Sequence, residues 1–257
     1  MKGKVMSSCH HPSCWLSLLG LWMSMACATP QAADPDTVRP RPGEPPLTQL
    51  SGPLRIFDSY QNALLSACQK IVSKPRATAG RRDAQGFDTR WRVGTEYCAW
   101  IYYTPDGKYV LSKLTDQTSV AATGQSKHCL IPSYVDDQRF PADSIKYIFV
   151  IHNHLYDDLL SDDDLSVTLK QGRHHGFEAA TKDGRIQLSA IAFFANEVES
   201  PKCAGFYQYL PLTGQILKWS RTTRWECEQT HTVEWDADFA KPHLTEAKGF
   251  CFKDATP

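Results

Sequence analysis

Neither sign of charge is in excess in this chain: 28 Lys and Arg stand against 28 Asp and Glu, and the sequence pI is about 7.1. Without a basic face there is no electrostatic footprint for a phosphate backbone, so no nucleic acid is expected as a partner. None of the cysteines forms a CxxC pair, which excludes a finger- or ribbon-type cysteine zinc site. No apolar run approaches the roughly 20 residues a membrane-spanning helix needs. There is no internal repeat, and no low-complexity tract beyond one proline-rich segment, so a solenoid or repeat array is excluded.

What is there begins with an export pattern. Lys2 and Lys4 precede the apolar stretch 15–26, which is followed by the small-x-small site Ala26-Cys27-Ala28. This predicts a signal peptide over 1–28 and a protein of the periplasm, outer envelope or extracellular space. Cys27 is alternatively a lipidated cysteine at the mature end, giving a lipid anchor, although Ser24 stands where lipoprotein signals usually carry Leu. Residues 29–53 hold seven prolines and few large apolar groups, which predicts a semi-extended linker with no means of packing. The domain is expected over 54–257. It contains Cys68, Cys98, Cys129, Cys203, Cys227 and Cys251, an even, scattered set that suits three disulfides in an oxidising compartment. Six cysteines allow 15 pairings, and the sequence does not choose among them.

Helical spacing of apolar residues predicts a helix over 55–74, ended by Pro75, then a loop over 76–92. Strands follow at 96–103 and 108–114 around the turn 104–107. Residues 115–144 read as irregular, and 145–151 as a continuous apolar, buried central strand. A helix is expected over 161–175, capped by Ser161 and stopped by Gly176. Strands at 177–181, 187–196, 204–210 and 216–220 complete the domain; the polar tail from 221 is irregular, with Cys227 and Cys251 available to tie it down. The aromatics Trp100, Tyr102, Phe193, Phe194, Tyr207 and Tyr209 read as core, the run Asp157, Asp158, Asp162 and Asp163 as a solvated helix start, and His174-His175 as an exposed helix end.

The chemistry concentrates in FVIHNHLYDDLLSDDDL, residues 149–165. His152 and His154 are two apart in an extended segment and so face the same way. Asp164 enters from the first turn of the following helix. Two imidazoles and one carboxylate make a three-ligand shell with an open fourth position, the arrangement of a catalytic zinc. The letters HNH at 152–154 do not indicate a nuclease, since those enzymes spread the residues over a ββα unit and need a basic surface.

His152-x-His154, a six-residue spacer and Ser161-x-x-Asp164 resemble the signature of the JAB/JAMM (MPN) metallopeptidases. Glu96, opening the strand EYCAWIYY, stands where that family places a glutamate on an early hairpin strand, and residues 96–114 also look like the related JAB-like domain of bacterial secreted and toxin-associated proteins. The resemblance covers about 92–210 and implies an α/β fold of JAB/MPN type with a cytidine-deaminase-like layout: a mixed, curved sheet flanked by helices, here reinforced by disulfides. It implies Zn2+ held by His152, His154 and Asp164, Glu96 as general base and then acid, and Ser161 as oxyanion donor. The implied reaction is hydrolysis of a peptide or isopeptide bond in a peptide or protein substrate, cell-wall peptide among the choices. The alternative is an inactive JAB-like binding or scaffold module of the bacterial envelope; an effector or toxin module is a third reading.

Overall fold

In a computed structural model of the chain, residues 34–41, 43–120, 127–221 and 224–251 are described. The expected signal peptide and Cys27 lie outside them. From the amino end, the first elements are β1 (Thr37–Val38), β2 (Gln49–Gly52), β3 (Arg55–Phe57), α1 (Tyr60–Val72) and α2 (Phe87–Val93). Then come β4 (Cys98–Tyr103), β5 (Tyr109–Leu111), β6 (Leu114–Thr115), β7 (Thr118–Val120), β8 (Lys127–Cys129) and β9 (Tyr134–Asp137). After a 3-10 turn (Ala142–Ser144) follow β10 (Lys146–Asn153), α3 (Asp162–His175), β11 (Glu178–Thr181), β12 (Gly184–Gln187) and β13 (Ser189–Phe194). Last are β14 (Gly205–Leu210), β15 (Gln215–Arg221), β16 (Trp225–Trp235) and β17 (Pro242–Phe250). The fold is mixed α/β and mostly sheet.

The apolar run expected as a central strand is β10. It pairs antiparallel with β4 and parallel with β13, so the main sheet is mixed, in the order β1-β6-β4-β10-β13-β14-β15-β16-β17, with β5 also paired to β4 and β3 paired to β5. Because side chains alternate along a strand, the two faces of the sheet serve different helices. Ala99, Ile101, Ile151, Ile191 and Phe193 pack with Ala63, Leu64, Ala67 and Ile71 of α1. On the opposite face, Ala190, Ala192 and Phe194 pack with Leu165 of α3. Trp100, Tyr102 and Val150 on that face meet Leu50 and Val135. Each fully buried Leu, Ile or Phe contributes about 1.5–3 kcal/mol relative to an exposed one.

Several expectations are corrected. The helix expected from residue 55 begins at Tyr60, because the Ser59 side chain caps it by accepting from Asn62 N; residues 55–57 instead pair with β5 as β3. The loop over 76–92 contains the start of α2. The linker expected over 29–53 packs from Asp34 onward. β1 pairs parallel with β6, β2 pairs parallel with β9, and Leu50 is fully buried. Asp36 binds Lys70 of α1, and Asp34 binds Lys74 just past the end of that helix. Prolines 40, 45 and 46 fall between the two strands, where a missing N–H costs no ladder bond. Residues 115–144 are not irregular: they hold the β7–β8 hairpin and β9. The tail from 221 is a long hairpin, β16–β17, that extends the sheet.

The six domain cysteines form Cys68–Cys203, Cys98–Cys129 and Cys227–Cys251. These tie α1 to the approach of β14, β4 to β8, and β16 to the end of β17, and they fit an exported protein. Among the described residues, no helix is long and apolar enough to cross a membrane.

Candidate metal centre

Two histidines leave the buried end of β10, and a carboxylate approaches from the first turn of α3. His152 and His154 are 4% and 8% exposed. Their Nε2 atoms lie 3.3 and 3.4 Å from Asp164 Oδ1 and Oδ2 respectively. One ligand atom from each of the three residues falls within 4.8 Å of the others, close enough for one metal ion.

The surrounding bonds orient this cluster. His154 Nδ1 lies 2.9 Å from the Asp158 carbonyl; a carbonyl can only accept, so Nδ1 carries the proton and Nε2 faces the cluster. Asp164 Oδ2 accepts from Ser161 N at 2.8 Å and from Ser161 Oγ at 2.7 Å, while Ser161 Oγ accepts from Asp164 N. This capping box starts α3 and turns Oδ1 toward His152. Asn153, between the histidines, accepts from Tyr97 N at 2.7 Å and donates to the Ala77 and Thr95 carbonyls. It locks the HxH segment to the start of β4.

Glu96 lies just ahead of β4. Cys98 pairs with His152, and the antiparallel register continued by two residues sets Glu96 opposite His154. Glu96 is 5% exposed. Burial, with Asp164 adding, pushes its pKa up to about 8 against the opposing pull of the His154 charge. Burial alone would lower the His154 pKa, but the Asp164 hydrogen bond and charge, with Glu96, raise it to about 9. Burial alone would raise Asp164; the two imidazoles instead hold it well below the usual carboxylate range.

All five residues singled out in the sequence therefore converge. Two buried polar atoms among them, His152 Nε2 and Glu96 Oε2, have no aligned hydrogen-bond partner. Such orphans are rare in folded proteins, and a cation at the histidines with a water at Glu96 would satisfy both. The donor set, two imidazole nitrogens and a carboxylate oxygen, suits zinc. Ser161 is on hand, though its hydroxyl is engaged by Asp164.

Other expectations fare differently. Asp157 is engaged by Lys218 Nζ and Tyr207 OH, at 2.7 and 2.9 Å. His175 is half-buried, stacked on Tyr147 with its Nε2 2.7 Å from the Ser133 carbonyl. Asn153 and His128 gave no signal in the sequence: His128 comes from the stretch read as irregular, and a polar residue between two ligands has no motif. His128 lines a crevice together with His152 and Asp164.

Compared with known proteins, the chain matches no family model, no curated protein and no solved structure.

Proposed function

We propose that this chain is a secreted or envelope-anchored zinc peptidase or isopeptidase of JAB/JAMM type, with a JAB/MPN-like fold. The observation that carries this reading is the buried His152–His154–Asp164 cluster with the protonatable Glu96 beside it, whose Oε2 has no hydrogen-bond partner among the described residues. The sheet flanked by α1 and α3, with the histidines at the end of the central strand, agrees with the layout the resemblance implies.

His152, His154 and Asp164 would hold the zinc, which when bound supplies a polarising Lewis acid and an acidified water. Glu96 accepts a proton from the attacking water and delivers it to the leaving amine, so that amide plus water becomes carboxylate plus amine. A carboxyl held near neutral pKa by burial suits both halves of that task. Ser161 fixes Asp164 by donating its hydroxyl proton to Oδ2, and would have to turn that proton away from Asp164 to serve a developing oxyanion. The substrate is a peptide or protein, cell-wall peptide included. An anchor through Cys27 would keep the activity at the envelope.

The test uses the oxidised full chain. About one zinc per chain, lost in His154→Ala and Asp164→Ala, is expected. Glu96→Gln should keep the zinc and lower peptide hydrolysis by about 10²–10⁴-fold. A chain that takes up no zinc even after loading overturns the catalytic reading and leaves a binding module.

A further inference from the structure

The crevice beside the candidate metal centre is walled by Cys98, His128, Cys129, His152, Asp163 and Asp164, together with apolar side chains. Neither Glu96 nor His154 is among its walls in the described residues. It therefore borders the cluster at His152 and Asp164. Its one imidazole outside the ligand set is His128.

His128 is held with unusual care for a residue on a three-residue strand. Cys129, next to it, is bonded to Cys98, the cross-strand neighbour of His152. Lys127, on its other side, donates to the carbonyls of Trp91, Arg92 and Gly94 at 2.7–2.8 Å, capping the carboxyl end of α2. The partner strand is fixed too: Thr118 Oγ1 donates to the Glu96 carbonyl at 3.3 Å. The ring itself has few protein partners. His128 Nδ1 is fully buried with no aligned hydrogen bond, and lies 3.3 Å from Asp163 Oδ2. The side chain remains 19% exposed, on the crevice. The two ring nitrogens lie on different edges of the imidazole, so with Nδ1 turned to Asp163, Nε2 is the nitrogen left for a ligand.

We propose that His128, oriented by Asp163, is a further catalytic residue: its Nε2 accepts a hydrogen bond from the N–H of the amide undergoing cleavage. This rests on the metallopeptidase reading and gives it a polarity, with the amine half of the substrate lying along the Cys98–Cys129 wall. Nε2 holds the existing N–H, while Glu96 supplies the further proton the nitrogen takes up as the C–N bond breaks. The preferred substrate bond is then a secondary amide; a tertiary amide, such as one to proline, lacks the N–H that His128 binds.

The experiment needs no identified substrate. The oxidised full chain is loaded with Co(II), and its visible absorption is titrated with acetohydroxamic acid and with N-methylacetohydroxamic acid, which lacks the N–H. The native chain is expected to favour the N–H compound, and His128→Ala to reduce that preference by about fivefold to tenfold, the value of one hydrogen bond. Co(II) affinity should stay within about twofold. His128→Gln, whose side-chain oxygen also accepts, should restore part of the preference while keeping a polar group in the wall. Equal preference in native and His128→Ala chains, with Co(II) bound to both, overturns the His128 assignment alone. Loss of Co(II) on changing His128 makes it a ligand or scaffold residue and overturns the assignment as well. A native chain that binds no Co(II) overturns the metal-centre reading and this one together.

Discussion

At the scale of single residues, the candidate site is a set of buried polar groups, each costly unless partnered. Asn153 shows how that cost is met: its amide serves one N–H and two carbonyls. Asn153→Ala leaves those groups buried and unserved, and should destabilise the protein by about 3 kcal/mol, read as a lower urea midpoint. A change below about 0.5 kcal/mol would mean that water replaces the amide freely. Glu96 gives a pH-dependent signature in the metal-free protein. Its folded pKa, about 8, lies above the usual carboxylate range. The fold therefore favours the protonated form, and native stability falls as pH rises from that range through about 8. Glu96→Gln has no proton to lose. Its stability relative to the native chain should rise across that window by more than about 1.4 kcal/mol, measured by urea unfolding at pH 5 and pH 8 in chelator. Parallel profiles would show that Glu96 is hydrated.

At the scale of elements, α3 and β10 act as one device. The capping box that begins α3 is built from the same Ser161 and Asp164 that serve the cluster, so helix initiation and ligand orientation are one set of hydrogen bonds. Ser161→Ala should cost about 1 kcal/mol in stability from the lost cap. It should also weaken zinc binding about 10–100-fold, because Asp164 loses the hydroxyl bond that helps to aim it and keeps only the one from Ser161 N. Competition with a chromophoric chelator measures the second effect; unchanged affinity would reduce Ser161 to a cap. This element was legible in the sequence because a cap, a first-turn carboxylate and a terminal glycine are local signals. The β7–β8 hairpin and β9 were not, because strands of three or four residues carry too little periodicity to read. β16 and β17 escaped for a different reason. They form the outer edge of the sheet, so much of their surface is polar and their alternation is weak.

At the scale of the whole molecule, metal binding at this cluster would be coupled to folding, since residues 152, 154 and 164 come together only when β10 and α3 are docked. Zinc at about 100 times its dissociation constant should add about 2.7 kcal/mol of stability. The melting temperature should rise by about 5–10 °C, reverse with chelator, and not respond in His154→Ala. An equal response in that variant would place the metal elsewhere. Local pattern alone was enough to read the candidate pair His152 and His154, the capped helix that brings Asp164, the buried central strand and the paired state of the six cysteines. Each of these follows from short-range spacing or composition. Only the tertiary structure decided that Glu96 faces His154, because that depends on the register between β4 and β10. It alone chose one disulfide pairing of 15, and it alone turned the proline-rich segment from Asp34 onward into two strands. The same is true of His128, which Cys98–Cys129 carries to the crevice beside His152 across 31 residues of chain. Pairings between distant segments are set by shape and by the hydrogen bonds left over once the local elements have formed, and a linear pattern does not record them.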